Sequence, residues 1–190
     1  MRVHETVRNA SPDPHELVWM HHPAYGAPLV GADARFDLPG ASVASDAHAP
    51  GTLLPPGVVH EWPMTVTADG KPLDLRELAG PESPREIFAA LTDLVDGWYA
   101  LRNPAIGLGV AFRWDPEVFP HAWFWQELHA TRGFPWFRRA YAAAIEPSNV
   151  LPRGTGPVLD GRAEVDTTVE LTVFRPGRPV SDVGWGGVLR

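Results

Sequence analysis

The chain of 190 residues contains no cysteine, and that single absence removes disulfide frameworks, thiolate-held zinc, iron–sulfur ligation and cysteine nucleophiles together. It suits a reducing compartment, and the cytoplasm is the expected location. Basic charge is also scarce: 16 Lys and Arg stand against 23 Asp and Glu, a formal net charge of −7, with no dense basic cluster. A surface that binds by neutralising phosphates has no source of charge here, so neither nucleic acid nor an anionic membrane is an expected partner. No apolar run approaches the roughly 18 residues of a membrane span, and Met1-Arg2-Val3-His4-Glu5 lacks the apolar stretch of a signal peptide. The 18 Gly and 21 Pro fall short of a low-complexity composition, while 44% hydrophobic residues suffice for a real core. The length fits one domain over residues 1–190.

Period-2 alternation dominates what is present. Ile106, Leu108, Val110 and Phe112 point one way, and Val165, Thr167, Val169, Leu171 and Val173 do so in a second segment, the signature of half-buried strands. Val3 to Arg8, Glu16 to Met20, His121 to Glu127 and Arg139 to Glu146 are further strand candidates bounded by Pro, Gly, Asn or Asp turns. An all-β antiparallel sandwich follows. One short helix is expected: Ser83-Pro84-Arg85-Glu86 offers an N-cap, an N1 proline and a capping-box glutamate before Ile87, Leu91 and Leu94. Gly31 to Pro72 reads as weak strands and long loops, and no internal repeat is visible. Arg2 to Arg8 alternates from the first residues onward, so it is either an edge strand or one that lacks preceding material.

Three clusters could carry chemistry. In Trp19-Met20-His21-His22-Pro23-Ala24-Tyr25-Gly26, adjacent histidines face opposite ways and the proline holds His22 extended, which aims a titratable ring. Against this stands the plainer reading of one core and one surface histidine. Ala143-Ala144-Ile145-Glu146-Pro147 delivers a carboxylate at the end of a small apolar strand, either an exposed rim residue or one whose proton affinity partial burial raises towards general-base use. In His121-Ala122-Trp123-Phe124-Trp125-Gln126-Glu127, alternation places His121, Trp123, Trp125 and Glu127 on one face. Aromatic faces flanked by acids stack on sugar rings, although stacked tryptophans also fill sandwich cores. A metal centre on His21, His22, His60 and Glu61 lacks suitable spacing, and no G-x-S-x-G elbow is present.

The order of WMHHPAYG, DGWYALRNP, HAWFWQE and GFPWFRRAYAAAIEPSN resembles the aldose 1-epimerases, or mutarotases, from Arg2 to about Phe174. The resemblance implies a galactose mutarotase-like supersandwich, truncated at its N-terminus. It also implies interconversion of sugar anomers, with Glu146 taking the proton of the anomeric hydroxyl and His22 protonating the ring oxygen. His21, Asp96, Trp98, Trp125 and Glu127 resemble positions that bind the substrate. No cofactor or metal is implied, since one proton moves each way. Family chains are longer and carry strands, an arginine and another histidine before the position of Met1, so an uncovered sheet edge and a possible homodimer are expected. Two other readings remain: a non-catalytic carbohydrate-binding domain or inactive homologue using the Trp123/Trp125 face, and a purely structural sandwich. A neutral sugar suits the acidic balance better than a phosphorylated one, with Arg138 and Arg139 keeping the latter open.

Overall fold

The computed structural model describes residues 1–49 and 51–190. Eleven strands build its two main sheets: β1 (Arg2–Arg8), β2 (Ala24–Gly26), β3 (Arg35–Asp37), β4 (Ser42–Ser45), β5 (Val59–Glu61), β6 (Arg85–Thr92), β7 (Trp98–Asn103), β8 (Leu108–Arg113), β9 (His121–Leu128), β10 (Tyr141–Ser148) and β11 (Glu164–Phe174). The first sheet has the order β1-β11-β8-β7-β3 and the second β2-β10-β9-β6-β4-β5, with antiparallel neighbours throughout. Three two-stranded ribbons join His15–Glu16 to Val158–Leu159, Met64–Val66 to Pro72–Asp74, and Val183–Gly184 to Val188–Leu189. Among the described residues, no helix is long and apolar enough to cross a membrane.

Alternation sorts each strand into a core side and an outer side. From the first sheet, Tyr99, Leu101 and Phe112 enter the core; from the second come Ile87, Leu91, Phe124 and Ile145. Tyr99 stacks on Phe112 at 5.8 Å, and Phe36 meets both Tyr99 and Phe124 edge-on. Emptying such a site costs about 3–5 kcal/mol for a Phe→Ala change. The sheets are also tied by a hydrogen bond between the Tyr25 and Tyr99 hydroxyls at 2.8 Å. Burial pushes the Tyr25 hydroxyl up to about 12, so this contact stays neutral across the physiological range.

The helix expected from Ser83 to Leu94 does not form; its residues make β6 instead. Ile87 and Leu91 satisfy helical spacing, but Ile87, Ala89 and Leu91 also satisfy alternation, and all three are fully buried on one face. Strands β9 and β4 flank β6 and supply its ladder bonds, which outweigh a local capping signal. Smaller differences follow the same logic. The expected strand from Glu16 to Met20 reduces to His15–Glu16 and a lone bridge from Met20 to Ser148. Ile106 lies not in β8 but in a 3-10 turn, Pro104–Ile106, capped by Asn103. Strand β1 sits at the edge of its sheet, paired only with β11.

Candidate active site

The outer face of the second sheet is where the chemistry gathers. In β9, Ala122, Phe124 and Gln126 are fully buried, so Trp123 and Trp125 project outward, half-buried. Register then places Trp123 opposite Glu146 of β10 on one side and Ala90 of β6 on the other, with Trp125 opposite Ala144 and Phe88. Glu146 therefore shares the face of both tryptophans. The small residues of β10, Ala142 and Ala144, keep the sheet surface low around it.

His22 reaches this face from outside the strands. The segment before it runs beside the end of β10: the His21 amide donates to the Pro147 carbonyl at 2.9 Å. Asn149 secures the alignment, accepting from the Trp19 amide at 2.9 Å and donating its side-chain amide to the Leu17 carbonyl at 2.9 Å. His22 then turns outward, its Nδ1 3.3 Å from Glu146 Oε1 and its ring edge-on to Trp125 at 6.1 Å. The Glu146 side chain is 5% exposed and that of His22 57%, so the carboxylate lies beneath a ring open to solvent. Burial pushes the Glu146 carboxyl up from 4.5 to about 7. A carboxyl poised near neutrality accepts or returns a proton with little penalty.

Trp125 also meets Trp136 at 5.5 Å, which carries the aromatic surface onto the loop between β9 and β10. Glu127 shapes that loop. Its Oε1 accepts from the amides of Ala130 at 2.7 Å and Thr131 at 3.1 Å, and its Oε2 from the Thr131 hydroxyl. Fully buried, Glu127 spends its oxygens on the turn that leads to Trp136.

The structure thus brings His22, Glu146 and Trp125 together, but the remaining sequence-derived residues lie elsewhere. The His21 ring points inward among Trp19, Phe112 and Phe119, with Nε2 2.8 Å from Glu5 Oε2. Asp96 and Trp98 belong to the first sheet. Asp96 takes a bidentate contact from Arg113 at 2.9 and 3.1 Å, and Trp98 packs beneath Val180 and Val183. Sequence reasoning missed Asn149 and Trp136. An asparagine directly after a strand is a common turn residue, and nothing local distinguishes one that bridges to a distant segment.

No family model matches the sequence, and no curated protein matches it. Solved structures do. A candidate aldose 1-epimerase from Klebsiella pneumoniae subsp. pneumoniae superposes with a TM-score of 0.66 at 18% identity, over 92% of this chain and 42% of that one. A galactose mutarotase-like protein from Clostridium acetobutylicum gives 0.59 at 15% identity, over 92% and 52%. A TPR-domain containing protein from Parabacteroides distasonis gives 0.64 at 11% identity, over 94% and 28%. The chain spans about half or less of the length of each. At these identities the likeness speaks for architecture alone, which is a galactose mutarotase-like β-sandwich.

Proposed function

We propose that the chain is an aldose 1-epimerase-like isomerase that interconverts the anomers of a neutral sugar. The observation that carries this reading is the Glu146–His22 pair, 3.3 Å apart on an open, tryptophan-lined sheet face. The anomeric hydroxyl and the ring oxygen are both bonded to C1, so opening the ring calls for a proton acceptor and a proton donor close together. Glu146 takes the hydroxyl proton as His22 gives one to the ring oxygen, and the C1–O5 bond breaks to leave an open-chain aldehyde. Rotation about C1–C2 presents the other face. The ring oxygen then returns its proton to His22 as it attacks C1, and Glu146 protonates the new hydroxyl. Protons balance over the cycle, and both groups end as they began. Trp125 and Trp136 offer the stacking surface for the sugar's C–H face. Epimerase-like and mutarotase-like names among the structural neighbours support the same reading.

Exchange spectroscopy of anomeric protons for a panel of neutral aldoses tests it. The parent accelerates exchange and Glu146→Gln does not; a variant exchanging at the parent rate removes the mechanism. The partly exposed Trp136, 37% accessible, keeps a second reading in play, a sugar-binding face without turnover. In that case sugars bind, anomers equilibrate no faster than in buffer, and Trp125→Ala removes binding while Glu146→Gln does not.

A further inference from the structure

Two strands across from Glu146, on the same sheet face, lies a hollow of about 300 Å³ that the acid–base pair does not use. Its floor is Ala44 and Ala90 and one wall is Leu151-Pro152. Ala90 is the register partner of Trp123, and Trp123 that of Glu146, so at 4.7–4.9 Å per strand the floor starts ~10 Å from the Glu146 backbone. The next strand carries Ala44 opposite Ala90 and extends the floor further. A single pyranose ring with its C1 at Glu146 does not span that distance; two linked rings do.

The polar groups of the hollow indicate what kind of ring it suits. Asp46 accepts from the amides of His48 at 2.8 Å and Ala49 at 2.6 Å and pairs with the Arg153 guanidinium. Burial alone would raise the Asp46 carboxyl, but those two amides and Arg153 outweigh it and hold the group below its usual range. It therefore stays ionised at neutral pH. A fixed acceptor beside a fixed fork of donors matches vicinal hydroxyls, which both give and receive hydrogen bonds. The carboxylate also neutralises Arg153 and repels a phosphate, so the site favours a neutral ring. The alanine floor lets such a ring lie flat against the sheet, and the apolar Leu151-Pro152 wall closes one side.

We infer that this hollow, between β4, β6 and the Leu151–Arg153 loop, is a second sugar subsite, and that the substrate class is a reducing disaccharide. This rests on the reading of Glu146 and His22 as the site of the reducing ring. Calorimetric titration with glucose, maltose, cellobiose and lactose reads the subsite without relying on turnover. At least one disaccharide should bind about tenfold more tightly than glucose. Arg153→Ala, and separately Ala90→Leu, which fills the floor, should bring the ratio to about one. The inference is overturned if no disaccharide outbinds glucose, or if the preference survives both substitutions. Exchange spectroscopy on the same samples separates the two claims. Disaccharide preference without accelerated exchange supports the subsite and sinks the catalytic reading; accelerated exchange without preference does the reverse.

Discussion

Glu146→Gln should make the protein more stable, by an amount that depends on pH. In the native state the Glu146 carboxyl sits at about 7, against 4.5 for the free side chain, with burial as the cause. Between those two values the unfolded chain releases its proton while the native chain holds it. Raising the pH through this window therefore favours unfolding, and the loss is complete once the pH passes the native value. A displacement of ~2.5 pH units at about 1.36 kcal/mol each comes to about 3 kcal/mol. Glutamine keeps the shape of the side chain and cannot ionise, so it escapes this penalty. Urea unfolding of the two proteins should show a stabilising difference near pH 8.5 that exceeds the difference near pH 4.5 by about 2–3 kcal/mol. A difference that does not change with pH, or a variant that is less stable at pH 8.5, would refute the reasoning: the ionised carboxylate would then be well accommodated, and the site would hold no poised base. The same displacement predicts that kcat/KM for anomer exchange rises with pH through about 7, as Glu146 becomes able to accept a proton.

Two further substitutions probe how the pair is assembled. His22→Gln removes the proton donor 3.3 Å from Glu146 and should slow exchange by about 10²–10⁴-fold, with circular dichroism unchanged because the ring is half exposed. Retention of more than a third of the parent rate would exclude His22 as the acid. Asn149→Ala deletes both side-chain bonds to the Leu17–Trp19 segment and should cost about 1–3 kcal/mol in thermal or urea unfolding. Because that segment carries His22, exchange should fall as well; unaltered stability would show that the main-chain contacts of His21 and Met20 hold the segment unaided.

The sequence by itself determined much of this sandwich, because alternation is a local property. Leu108 to Phe112, Val165 to Val173 and His121 to Glu127 each declare a strand with one apolar face, and the declared strands are present. It also singled out His22, Glu146 and Trp125, the first two through a proline neighbour and a small apolar strand that mark chemically unusual positions. What it left undecided, the tertiary structure settled. Ile87 to Leu94 satisfies both a helical and a strand period, and only the flanking strands β4 and β9 select between them. Trp98 and Trp125 look alike as aromatic residues in apolar segments. Pairing puts Trp98 under Val180 and Val183 on the first sheet, and Trp125 beside His22 on the second. Glu127 and Glu146 are both acids late in apolar strands. A one-residue difference in where each strand ends gives Glu127 to a turn and leaves Glu146 beneath an exposed imidazole, burying its charge enough to bring it near neutrality. Proton affinity depends on the whole surroundings of a group, and those surroundings exist only once segments distant in the chain have packed together.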